Sequence, residues 1–222
     1  MIFDFKAIIE WIPFISKGLG VTLGLAVFSA VFGTIIGIIV TLVSESKFKK
    51  VAYVYVDIFR GTPLILQLSV IYLAIPQIMA VISPGENFEI AAFMASVIAF
   101  SLNSGAYISE IIRSGINSVD KGEIEAAVSL GIKKRHIYQD IILPIAFRNS
   151  FPALMNELIT LVKESSIVSI IGLQDLMRRQ QIVSSQLYKY FEPLIVVGVI
   201  YYVVIKLISF IGRRVEMRLK YD

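Results

Sequence analysis

From Leu19 to Val43 not one side chain is charged. A helix needs only about 20 apolar residues to cross the ~30 Å hydrocarbon core, and this run exceeds that. In lipid every backbone polar group must be satisfied inside the segment, so a run of this kind is predicted to be helical. Composition extends the inference to the whole chain. Hydrophobic residues make up 56% and charged residues only 17%, and the mean hydropathy is +0.77. The expected class is an all-α, polytopic membrane protein forming one transmembrane domain over residues 1–222. Absence of cysteine excludes disulfides and thiol chemistry. Asp4, Glu10, Trp11 and Pro13 interrupt the N-terminal stretch, so the first span is expected to act as an uncleaved insertion signal.

Five spans are predicted. Residues Asp4 to Ser16, with Trp11 central, read either as an interfacial amphipathic helix or as the start of span one. Span one is Leu19–Val43, where Gly20/Gly24 and Gly33/Gly37 have the four-residue spacing that lets helices approach closely. Span two, Ala52–Ile82, is interrupted at Gly61-Thr62-Pro63. Pro63 removes a donor and disfavours helix at Thr62. The break is either a hinge between an interfacial helix and the span proper, or part of a solute path. Asp57 and Arg60, three apart, have the spacing of a helical ion pair. Ser83 to Asn87 is expected to turn, and span three then runs from Phe88 to Arg113.

Asn103, Tyr107 and Glu110 share one face of span three. Glu110 and Arg113 have the spacing of a structural ion pair at a membrane boundary. Asn103, deeper, suits either a solute or an interhelical hydrogen bond. Span four, Pro144–Leu173, carries Glu157, Thr160 and Glu164 along one face. A carboxylate at membrane depth costs about 2.5–3.5 kcal/mol even on lenient scales, so something must compensate Glu164. A cationic solute would do so; a cation on another helix, or a place at the outer boundary, would serve too. Span five opens at Pro193 and runs to Ile211.

Between spans three and four lies a polar, basic segment. Glu125, Ala126, Ala127, Ser129 and Leu130 belong to a good helix-forming stretch, and Gly131 follows where a helix terminus accepts a left-handed residue. A second short helical turn, including Lys134 and Arg135, fits Lys134 to Asp140. Residues 120–144 are thus expected to form a helical knob on the membrane surface that docks something in the water phase. Thirteen Lys and Arg fall on the segments sharing this knob's side, and five on the opposite side. The positive-inside rule places the knob and the C-terminus in the cytoplasm and the N-terminus outside.

Glu125-Ala126-Ala127, Gly131, Ile141 and Leu143-Pro144 resemble the EAA loop of the membrane subunits of ATP-binding-cassette importers. Phe59-Arg60-Gly61-Thr62-Pro63-Leu64, the stretch Ala106 to Gly115, and Lys163-Glu164-Ser165-Ser166 resemble the polar amino acid permeases, the histidine/arginine/glutamine group. The resemblance implies a type I permease fold in the cell membrane, ABC ATPase subunits as partners, a second permease subunit in a homodimer or close heterodimer, and an extracytoplasmic solute-binding protein. It implies that residues 125–131 with Lys134 and Arg135 transmit ATP-driven movement to the spans.

No Gly-rich phosphate loop ending in Gly-Lys-Ser/Thr occurs, so ATP hydrolysis is expected in a separate subunit and this chain is not expected to be an enzyme. No metal motif, cofactor signature or nucleic-acid signature is read; membrane lipid is the expected surrounding. Thr62, Asn103 and Glu164 are the candidate solute residues: an amide and a hydroxyl for the amino acid backbone groups, a carboxylate for an ammonium or guanidinium. The expected cargo is a basic amino acid, carried inward by alternating access. Alternatives are an ATPase-independent channel or ion-coupled carrier, a permease for glutamine or another small solute, and an anchoring protein without transport.

Overall fold

The computed structural model describes residues 6–83 and 88–221, and every regular element among them is helical. Two short helices, α1 (Lys6–Ile9) and α2 (Ile12–Ser16), lead into the long α3 (Gly18–Ser44). The N-terminal stretch is almost continuous with α3, yet Ile8 and Ile15 turn into a buried cluster with Leu176, Val183 and Val197. Trp11 meets Phe14 edge-on at 6.0 Å. Asp4 and Phe5 lie outside the described residues.

The expected second span divides in two. Helix α4 (Lys49–Gly61) ends where Thr62 and Pro63 adopt extended backbone. Helix α5 (Leu64–Ser69), a π turn (Val70–Ala74) and α6 (Ile75–Ile82) then form one apolar run, 64–82. Pro76 cannot donate to the carbonyl one turn back, and the π turn lies where that bond is missing. The turn expected at Ser83 to Asn87 lies mostly outside the described residues. Helix α7 (Ala92–Asn117) starts and ends about a turn later than span three was drawn.

Helix α8 (Lys121–Ser129) and the single turn α9 (Lys134–His136) form the extramembrane segment. A π segment (Ile137–Ile142) joins α9 to α10 (Leu143–Glu164). A 3-10 extension (Ser165–Ile171) closes at Gly172, whose φ is +82°. Helix α11 (Leu176–Leu187) and the long α12 (Phe191–Tyr221) complete the chain; α12 runs well beyond the expected end of span five.

Four helical stretches among the described residues are long and apolar enough to cross a membrane: 7–44, 64–82, 92–117 and 191–219. Helix α10 is not among them, because Arg148, Asn149, Asn156, Glu157, Lys163 and Glu164 dilute its apolar character. It packs instead against α7, α12 and α3. Glu157 and Glu164 are partly buried there, whereas Arg148, Asn149, Asn156 and Lys163 stay exposed.

The core is organised on the α3–α7 pair. A Cβ at Gly37 would lie 2.7 Å from Ile108, and one at Gly105 would lie 2.6 Å from Ile36. Small residues on both helices therefore set their approach. Of the two glycine pairs in span one, Gly33 and Gly37 meet α7, whereas Gly20 and Gly24 face open space or a distant ring. Leu25, Leu68, Phe100, Leu161 and Val168 fill the centre between α3, α5, α7 and α10.

Candidate functional site

The knob is built from its caps outward. The Asp120 side chain accepts from the Gly122 N–H at 2.6 Å and opens α8. At the other end Ile132 N–H donates to the Ala127 carbonyl at 3.1 Å, and Gly131 N–H to Val128 at 3.0 Å. This is a Schellman closure, and Gly131 sits at φ +74° as that closure requires. Ser129 donates back to the Glu125 carbonyl at 2.9 Å.

One face of α8 is seated and the other is free. Ala127 is 4% exposed and packs with Val119, Ile137, Ile142 and Ala146. Its small side chain thus serves the seat within this chain; Ala126 and Glu125 lie on the exposed side. Leu130 is 80% exposed and Val128 58%, an apolar tip on an otherwise polar element. Lys134 and Arg135 are exposed beside it, with Arg135 donating to Gln139 at 3.2 Å. Below the knob, Asn149 donates to Ser118 at 2.8 Å and Ser150 to the Ile111 carbonyl at 3.2 Å. The knob, the end of α7 and the start of α10 are therefore tied together.

The break between α4 and α5 is occupied by amides. Gln67 donates to the Phe59 carbonyl at 2.9 Å and to Thr62 Oγ1 at 3.0 Å. Asn103 donates to the same Phe59 carbonyl at 3.0 Å and to Gln67 Oε1 at 3.1 Å. Thr62 donates to the Ile58 carbonyl at 2.7 Å. Of the two readings of Asn103, the interhelical hydrogen bond is the one present; the residue is 7% exposed. Thr62 and Asn103 are thus brought together around the break. Gln67, which joins them, was missed in the sequence. Pro63 cannot continue the ladder, so carbonyls such as Phe59 need outside donors, and an amide one turn beyond is where to look.

Ser104 of α7 donates to Glu157 Oε1 of α10 at 2.7 Å. Glu157 and Glu164 lie two turns apart on the same face and both are partly buried. Among the described residues neither forms an ion pair. Glu110 and Arg113 pair at 2.7 Å as the spacing predicts. The expected Asp57–Arg60 pair is replaced: Arg60 turns to Glu110 at 3.5 Å and lies over the Tyr107 ring at 5.3 Å. Tertiary packing of α4 on α7 offers Arg60 a carboxylate and a ring together, which Asp57 on its own helix does not.

A bundle of apolar helices, a polar helix packed on three of them and a seated knob with an exposed tip are the architecture of a helical membrane protein with an extramembrane docking surface. The chain belongs to the family described as binding-protein-dependent transport system inner membrane component, which matches residues 33–221. It is 49% identical over 220 residues to the arginine transport system permease protein ArtQ of Bacillus subtilis, covering 98% of this chain and 97% of that one. A putative glutamine transport system permease protein GlnP of Rickettsia felis is 48% identical over 221 residues, covering 97% and 98%. Among solved structures, an amino acid ABC transporter crystallised with histidines superposes with a TM-score of 0.90 at 39% identity, over 98% of this chain and 100% of that one. The MetNI methionine transporter, at 22% identity and a TM-score of 0.73, shares the fold. The fold is the type I permease fold. The chain is a permease subunit of the cell membrane, and the family's ATP hydrolysis belongs to a separate subunit.

Proposed function

We propose that this subunit imports polar amino acids, basic ones by preference, by ATP-driven alternating access. The relatives named for arginine and glutamine transport support the amino acid class. The single observation that carries the coupling is the exposed tip of Val128 and Leu130 on a helix whose other face is locked to α7 and α10. An ATPase subunit grips that tip and the exposed Glu125, Ala126, Lys134 and Arg135; Ala127, Ser129 and Gly131 keep the helix in shape. Packed helices switch between discrete arrangements, so the movement passes to the bundle as a rigid-body step.

The active transporter pairs two such membrane subunits, as a homodimer or a close heterodimer, with two ATPases, and receives its cargo from an extracytoplasmic binding protein. Residues 1–222 act as one domain with five spans, α10 being the polar one that packs on α7, α12 and α3. The knob and C-terminus face the cytoplasm, as the basic residues favour.

Glu164, with Glu157 below it, supports the basic preference, since two carboxylates that form no ion pair among the described residues suit a guanidinium or ammonium. Asn103 and Thr62 shape the wall nearby while holding the helix break. The test is ATP turnover of the complex with its ATPase and binding protein. Glu164→Gln lowers stimulation by arginine about tenfold, on the order of 1.4 kcal/mol, and leaves basal turnover in place. Unchanged stimulation would remove Glu164 from the solute path. An ATPase-independent carrier would transport arginine without any ATPase present.

A further inference from the structure

Between α4 and α7 lies an open cavity of about 690 Å³ whose walls include Tyr53, Asp57, Arg60, Tyr107, Glu110 and Arg113. It is separate from the Glu157–Glu164 face, whose residues do not line it. Both guanidiniums converge on one oxygen of Glu110, Arg113 at 2.7 Å and Arg60 at 3.5 Å. A guanidinium has five donors in a planar fork, so each arginine keeps donors to spare. Asp57, on the wall beside them, has no ion pair among the described residues. The four charges balance, but their pairing does not: Arg60 and Arg113 keep spare cationic donors, and Asp57 is a carboxylate without an ion pair among the described residues.

That arrangement is complementary to a zwitterion. A free α-carboxylate fits the arginine fork bidentately, and an α-ammonium fits Asp57. Tyr53 and Tyr107 supply aromatic edges for a side chain, and Tyr107 already lies under Arg60 at 5.3 Å. A purely anionic headgroup would leave Asp57 opposed, and a purely cationic solute would leave the arginines opposed. Arg113 precedes by one turn the end of α7 that leads into the knob.

We propose that this cavity is a second amino acid site, distinct from the Glu157–Glu164 face, that holds a free amino acid by its α-ammonium and α-carboxylate near the knob end of the bundle. The proposal rests on the amino acid reading above. Imported solute accumulating on the knob side occupies it and shields the α4–α7 cleft.

The chain has no cysteine, so one introduced thiol reports on the cavity. Val54→Cys on the wall, and Gly61→Cys as a second position with open space around it, are alkylated with a maleimide in the complete transporter in nanodiscs. L-Arginine is the probe. It is expected to slow labelling at least about fivefold at both positions. Agmatine, which lacks the carboxylate, and argininic acid, which lacks the ammonium, are expected to protect less than twofold. Asp57→Asn abolishes protection, and Glu164→Gln leaves it. Equal protection by agmatine, loss of protection in Glu164→Gln, or shielding by anionic phospholipid and not by arginine each overturns the proposal. ATP turnover stimulated by arginine in the same preparation reports separately on the amino acid reading: stimulation without protection sinks the second site alone.

Discussion

Asn103 and Gln67, 36 residues apart in sequence, join side chain to side chain at 3.1 Å and both donate to the Phe59 carbonyl. The pair seals the backbone break that Pro63 opens. Cutting it leaves a buried carbonyl short of donors, at about 1–3 kcal/mol for an unsatisfied group. Gln67→Leu, close in size, is therefore expected to lower the thermal unfolding midpoint in detergent, and Gln67→Glu to lower it further, since a buried carboxylate would face the Phe59 and Thr62 carbonyls that now accept from the amide. If Gln67→Leu unfolds at the wild-type temperature, the break does not depend on the amides.

Gly131 tests the knob. Its φ of +74° costs a residue with a Cβ roughly 1–2 kcal/mol. No atom stands within 4 Å of where that Cβ would be, so the effect is conformational and not steric. Gly131→Asn, a residue that tolerates this region, should keep ATP-coupled uptake near wild type, whereas Gly131→Val should lose most of it. The measurement is uptake per ATP hydrolysed, and equal ratios for the two variants would argue against the cap.

The α3–α7 contact is tested at Gly37. Ile108 lies 2.7 Å from the position of an added methyl group. Overpacking of this kind costs about 1–3 kcal/mol. Gly37→Ala should destabilise the subunit, and combining it with Ile108→Ala, which removes the Cγ2 atom in the way, should cost less than the two single changes summed. Gly20→Ala, facing open space, should be close to neutral in the same melting assay.

Asp175, in the connection before α11, gives a pH signature. Its side chain caps α11 by accepting from Arg178 N–H at 2.8 Å and Met177 N–H at 3.1 Å. Burial nevertheless pushes its carboxyl up to about 6, the backbone hydrogen bonds opposing that rise. A carboxyl raised on folding binds its proton more tightly in the native state. Its favourable contribution is present below the unfolded value near 4 and is lost as pH rises through 6. Asp175→Asn should thus gain on wild type in melting temperature between pH 4 and 7. A constant difference across that window would exclude the titration.

The membrane class, the knob and its glycine were legible because each is local: a charge-free run, a capped helix, a positive-φ position. The Glu110–Arg113 pair was legible for the same reason. Spacing offers Arg60 a possible partner in Asp57 because it sees only one helix, while the carboxylate that Arg60 meets lies on α7. The hydropathy of α10 could not by itself separate a span from a surface helix, since Glu157 and Glu164 become partly buried only once the helix packs on α3, α7 and α12. Gln67 escaped notice because its role exists only after the Pro63 break has formed.

From Lys134 through the π segment to Glu164 the chain never leaves a helical path. Thirty-one residues at ~1.5 Å each make an arm of roughly 45 Å, punctuated by the π segment and Pro152 but interrupted by no loop. A tilt of about 5° imposed at its basic end would swing the carboxylate at the far end by roughly 4 Å, more than the length of a hydrogen bond. Small strokes at that basic end are thereby geared up into the making or breaking of contacts at Glu164.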